Sequence, residues 1–194
     1  MTSKSATAGP KRLRGPNDPD RRAKIAKAAI EVVAERGVGG LTHRAVAAAA
    51  DVPLGSTTYH FATLDDLLEV ALHEAAEANV RQLTEWERGL GEGVDFSAAL
   101  ADLVMGYLDD QNPRTIVEYD LYVAALHRPR LRAASAAWDN ALTQLFGSRT
   151  DALTGRVLAA LFCGLVMQVV LADPPPKRHE IDALFRRAIE GPPG

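Results

Sequence analysis

The run LTHRAVAAAADVPLGSTTYHFATLDDLL, Leu41–Leu68, decides how the rest of the chain is read. Its alanine-rich first third favours a helix. The chain breaks at DVPLG, resumes with the hydroxyl-rich STTYH (Ser56–His60), and breaks again before TLDDLL. Two helices joined by a tight turn, the second short and polar, form a helix-turn-helix. The small side chains from Ala45 to Ala50 let the two helices approach closely, and Asp51 falls at the left-handed turn position, which Asp tolerates better than most residues. Val52 plugs the angle between the helices and Phe61 anchors the far end in the same small core. Ser56, Thr57, Thr58, Tyr59 and His60 are then expected to face outward. Their hydroxyls and ring nitrogen suit base edges and phosphates in a major groove.

Charge agrees with that placement. The 194 residues carry 22 Lys+Arg against 25 Asp+Glu, a net −3. Residues 1–63 hold 10 basic and 5 acidic residues, and residues 64–194 hold 12 and 20. A basic head on an acidic body points to a polyanionic partner for the head alone.

Working outward, residues 1–17 are rich in Gly, Pro, Ser and Lys/Arg with no apolar period, and read as a disordered basic arm. Asp18 caps a first helix with Pro19 in its first turn. Ile25, Ala29, Val32 and Val33 share the inner face of that helix and Gly37 stops it. Thr42 caps the second helix, and Thr63 with Asp66 reads as a capping box opening a fourth helix towards Arg88. Further helices are expected over Phe96–Asp110, from Pro113 to about Arg128, from Pro129 to Phe146, from Thr150 or Asp151 to the DPPP run at Asp173, and over Arg178–Glu190. No run alternates with period two, so the fold class is all-α, about nine helices. A helix-turn-helix head over 18–63 precedes a helical body over 64–194.

With these residues in view, the segment Arg21–Leu68 resembles the DNA-binding domain of the tetracycline-repressor (TetR) family of bacterial transcription regulators. The likeness runs through IAKAAIEVVAERG, LTHRAVAAAADV, Gly55, YHF and DDLL. It implies that Thr42, His43 and Arg44, together with Leu54, Gly55, Ser56, Thr57, Thr58, Tyr59 and His60, occupy positions facing double-stranded DNA. It also implies a ligand-binding and dimerisation body and a repressor released from a palindromic operator by a small molecule. Pro53, Asp51, Thr58 and Leu64 depart from the family's usual Ser, Gly, aromatic and Lys. Two common phosphate contacts are thereby lost, and the arm residues Lys4, Lys11, Arg12 and Arg14 are expected to supply phosphate or minor-groove contacts instead.

The body offers two further expectations. VLAALFCGLVMQVVLA, Val157–Ala172, is apolar nearly all round, short for a membrane span, and broken by Gln168. It reads as the core of a homodimer rather than a membrane segment, with Leu158, Leu161, Phe162, Leu165 and Val169, and Leu184 and Phe185 of the last helix, at the interface. Among the middle helices, aromatic and carboxylate side chains suggest a pocket for an amphipathic, cationic effector: Trp86, Asp102, Met105, Tyr107, Glu118, Tyr119, Asp120, Tyr122, Trp138 and Met167. An internal ion pair with Arg or His127 is the alternative role for those carboxylates.

Enzymatic and metal functions find little support. HEAAE, His73–Glu77, lacks the second His of a zinc-protease helix, and Cys163 among Phe162, Gly164 and Leu165 reads as core. No cofactor, no metal and no catalytic residue is expected. A single cysteine and the lack of an apolar leader fit a cytoplasmic protein. The competing readings are a helical small-molecule-binding or enzymatic protein whose helix-turn-helix is incidental, and a nucleoid-type DNA binder without an effector.

Overall fold

Nine α-helices make up the computed structural model among its described residues, 19–109 and 113–191. The first four are α1 (Pro19–Arg36), α2 (His43–Ala49), α3 (Leu54–His60) and α4 (Leu64–Gly89). The body continues with α5 (Phe96–Asp109), α6 (Pro113–Ala124), α7 (Arg132–Gly147), α8 (Ala152–Leu171) and α9 (Arg178–Glu190). The expected cap Asp18 lies outside the described residues.

Each boundary has a chemical cause. α1 stops at Gly37, which takes φ 68 and returns its N–H to the Val33 carbonyl at 2.8 Å. Thr42 Oγ1 accepts from the Ala45 N–H to start α2. Thr63 and Asp66 cap α4 reciprocally, at 2.9 and 3.1 Å. Asp151 caps α8 by accepting from Leu153 and Thr154.

α6 is shorter than the expected span to about Arg128. Its last turn tightens through i→i−3 bonds from Ala125, Leu126 and His127, and Pro129 forces Arg128 into an extended conformation. Pro129–Leu131 form a 3₁₀ turn, so α7 begins at Arg132 rather than Pro129.

One hydrophobic core runs through head and body. In the head it contains Ile25, Ala29, Val32, Val33, Val46 and Phe61, all nearly inaccessible. Leu67, Leu68, Ala71 and Leu72 on the first turns of α4 belong to the same cluster, so α4 is the beam that joins head to body. Arg22 on α1 stacks over the Phe61 ring at 4.9 Å. Two ion pairs brace the same joint from the body side: Arg128 with Asp65, and Arg130 with Asp66 at 2.7 Å.

In the body, α8 crosses α7 at very close range, because a Cβ on Gly155 would lie 2.5 Å from the Gly147 nitrogen. By length and composition α8 could cross a bilayer. Here it buries Leu158, Phe162, Leu165, Val166 and Val169 inside the chain and leaves the opposite face exposed.

That packing corrects the interface expected above. Leu158, Phe162, Leu165, Val169 and Phe185 are at most 4% exposed within a single chain and face its own core. A helix apolar all round carries no sequence signal for which face turns inward. Of the seven expected interface residues, Leu161 is half-buried and Leu184 is 47% exposed.

Candidate DNA interface and effector cavity

α2 and α3 meet across the turn Ala50–Pro53. The Val52 N–H donates to the Ala47 carbonyl at 3.0 Å, and Asp51 takes φ 49, the left-handed position expected for it. Beyond this bend α3 returns against the start of α2, where the Thr57 hydroxyl lies 3.5 Å from the His43 carbonyl. Thr42, Arg44, Leu54, Gly55, Thr58 and Tyr59 are exposed, and His43, Ser56 and His60 are half-buried. Tyr59 is the most open of the large side chains on α3, at 69%, and its ring meets the edge of His60 at 5.2 Å. Lys4, Lys11, Arg12 and Arg14 lie outside the described residues.

Thr57 is the exception and a correction. It is fully buried, and its hydroxyl donates to the Leu54 carbonyl at 2.8 Å on the preceding turn. A seven-residue helix still has to seat one face on its neighbour. Thr57, one turn before the core residue Phe61, places its methyl there while its own helix absorbs its hydroxyl. The four-residue spacing to Phe61 was the signal for this inward position.

The ten residues expected to form an effector pocket do not converge. Asp102 pairs with Arg178 on the surface, Nη2 to Oδ2 2.9 Å, and the arginine holds its carboxyl below the usual range. Trp86 stacks on Phe96, and Tyr107 meets the Phe162 ring edge-on. Glu118 is buried, accepting from Asn79 Nδ2 at 2.8 Å. The Tyr119 hydroxyl donates to the Cys163 carbonyl at 2.7 Å, and burial raises its pKa. Met105 is packed against the core and Met167 lies on the outer face of α8. Asp120 stands beside Gly37 at the joint with the head. The underlying reason is that residues on one apolar helix face need not share a cavity with those of the next helix.

Two cavities take in the remaining two expected residues. The larger, about 410 Å³, lies between α7 and α8 with Tyr122 of α6 at its inner end. Asp139 and Asn140 stand on one wall, Arg156, Ala160 and Cys163 on the other. The Tyr122 hydroxyl donates to both Asp139 oxygens, at 3.1 and 3.2 Å. Burial, then the Asp139 charge, pushes both the Tyr122 phenol and the Cys163 thiol up to about 12. Both are therefore neutral at pH 7, so the charged side chains lining this space are Asp139 on α7 and Arg156 on α8. A second cavity of about 350 Å³ lies between α4 and α7, walled by Ala76, Val80, Ala137 and Trp138 under a rim of His73, Glu77 and Arg81. Neither Asp139 nor the α7–α8 cleft stood out in the sequence, because an exposed Asp on a helix resembles any solvated charge. Among the described residues no cluster of His, Cys, Asp or Glu is arranged to hold a metal ion.

A helix-turn-helix with exposed polar side chains on its second helix thus sits on a helical bundle that carries two open cavities. Residues 25–71 match the family model for bacterial regulatory proteins of the tetR family, and residues 91–191 match the tetracyclin repressor-like C-terminal domain. The chain belongs to the tetR family. Solved structures agree with the tetR assignment over nearly the whole chain. The multidrug binding protein EbrR, complexed with imidazole, is 43% identical with a TM-score of 0.81, covering 91% of this chain and 98% of that one. Its ethidium complex is 42% identical with a TM-score of 0.78, covering 87% and 98%. A tetR-family member from Streptomyces coelicolor A3 is 43% identical with a TM-score of 0.75, covering 88% and 99%. Among curated proteins none matches.

Proposed function

We propose that this tetR-family protein is a homodimeric transcriptional repressor of the bacterial cytoplasm, released from a palindromic operator by a small, flat, amphipathic cation. The observation that carries the DNA part is the exposure of Leu54, Gly55, Thr58 and Tyr59 on α3 beyond the bend at Asp51, with Thr42 and Arg44 exposed at the start of α2. Arg44, Thr58 and Tyr59 meet base edges and phosphates there, with Thr42, Ser56 and His60 beside them. The basic arm adds phosphate contacts. Thr57 is left out of the reading set and acts as a packing residue.

The outer face of α8 supports the dimer reading. Leu153, Val157, Ala160, Gly164, Met167 and Leu171 are all exposed and recur at spacings of four, three, four, three and four. That heptad stripe carries no charge, and a second α8 with the same stripe is its natural partner in a self-complementary, two-fold contact. Leu161 and Leu184 flank it.

The effector class is supported by Asp139 in the α7–α8 cavity and by the 42%-identical EbrR, whose structures hold ethidium and proflavin. Release needs an effector that favours one arrangement of the two heads over another, not merely tight binding. A mobility shift with DNA from upstream of the protein's own gene tests the reading. Retardation of a palindromic fragment, abolished by proflavin, is the expected result. No preference for that fragment over scrambled DNA would overturn it.

A further inference from the structure

The α7–α8 cavity and the α8 stripe share a residue. Ala160 is part of the cavity wall and also the third member of the exposed stripe. Arg156 and Cys163, the neighbouring wall residues, lie one turn before and one turn after it, on the flank of α8 adjoining the stripe. At 100° per residue, the cavity-lining positions of α8 are centred roughly 70° round the helix from the stripe. A helix seated on the stripe therefore reaches across the outer edge of the cavity. In a single chain that edge is open: Asp139, Asn140, Arg156 and Ala160 are all solvent-exposed.

We propose that this cavity is a shared site, holding a flat apolar cation with N–H donors whose outer wall is the α8 of a second copy. The proposal rests on the dimer and effector class argued above and adds that the two depend on each other. Asp139 is the counter-ion on the α7 wall, and Arg156 on the facing wall is exposed and reaches solvent, so the cation sits against α7. Tyr122 fixes its orientation by donating to both oxygens, and Ala159 and Leu142 supply apolar contact at the floor. A ligand half-exposed in one chain becomes desolvated in the pair, where its attraction to Asp139 is less screened. Binding and association are then reciprocally linked: the ligand tightens the dimer by the same factor as the dimer tightens the ligand.

Proflavin is the probe, followed by its own fluorescence, with sedimentation velocity reading the association state. Gly164→Arg is the first variant, since a side chain at that position meets nothing within 4 Å inside the protomer, so the fold is retained while the stripe is blocked. Val157→Lys, 45% exposed in the protomer, is a second route to the same end. The expected result is a folded monomer that binds proflavin at least tenfold more weakly than wild type. Wild type dissociates at lower protein concentration when proflavin is present, and Asp139→Asn stays dimeric with at least a tenfold loss of proflavin affinity. A folded monomer that binds proflavin as wild type does would overturn the proposal, as would an unmoved dissociation midpoint, undiminished binding in Asp139→Asn, or a Gly164→Arg dimer. The regulator reading fails separately, when wild type shows no preference for operator DNA.

Discussion

At Thr57 and Tyr59, two residues apart on one short helix, the side chains have opposite tasks. Thr57 is buried with its hydroxyl on the Leu54 carbonyl, and Tyr59 is 69% exposed. Thr57→Ala is expected to lower stability by about 1–2 kcal/mol, through a lost buried methyl and hydrogen bond, while leaving discrimination between operator and scrambled DNA unchanged. Tyr59→Ala should behave in the opposite way, keeping the melting temperature and losing about 1–3 kcal/mol of discrimination. Thermal melts paired with binding titrations on both DNAs separate the two. A Thr57→Ala protein that melts normally but no longer distinguishes operator would return Thr57 to the reading surface. Residue roles in the sequence were legible where one residue type answers one backbone demand: Asp51 for a left-handed φ, Thr42 and Thr63 for helix caps. Thr57 was misplaced because a threonine satisfies either side of a helix.

Helix α8 shows the same ambiguity at the next scale. Its existence and span were plain from composition, and its cap Asp151 was in place, yet five of the seven expected interface residues turn inward. Only packing distinguishes two apolar faces. Leu165→Glu is therefore expected to unfold the protomer, since it buries an unpaired charge at a cost of several kcal/mol. The charge at exposed Leu171 in Leu171→Glu should leave the monomer folded and weaken association, as read by calorimetry and sedimentation together. α7 and α8 also depend on a missing side chain. In Gly155→Ala the new Cβ would meet backbone atoms of Gly147 and Thr143 within 2.6 Å, so the helices must separate, lowering stability by about 1–3 kcal/mol. α5 and α9 are clamped by Asp95–Arg186 and Asp102–Arg178, with both carboxyls held below the usual range mainly by their arginine hydrogen bonds. Their contribution is present above the ordinary Asp pKa of about 3.9 and is lost as pH falls through the lowered folded values. Acid titration of stability should be shallower in Asp95→Asn/Asp102→Asn than in wild type below pH 4, modestly so because the pairs are exposed.

For the molecule as a whole, the division of charge between residues 1–63 and the remainder was the earliest sign of two tasks in one chain. Deleting residues 2–16 removes Lys4, Lys11, Arg12 and Arg14 from each copy. Each lost phosphate contact flattens the slope of log affinity against log salt by about 0.9. A salt titration of the truncated protein should thus show a shallower slope and similar weakening on operator and scrambled DNA. An unchanged slope would mean that the arm touches no phosphate.

The joint at α4 bears on how such proteins can be recombined. Phe61 and Leu67 lie in one core, Arg22 stacks on Phe61, and Arg128 and Arg130 grip Asp65 and Asp66 from the far side. The boundary at 63 and 64 therefore marks where tasks change, not where the chain can be cut. A chimera that grafts this head onto a foreign body at that point would leave a hydrophobic socket half-filled and two aspartates without their arginines. A graft carrying the first turns of α4, with arginines restored at the equivalents of 128 and 130 in the recipient, transplants the seam along with the reader.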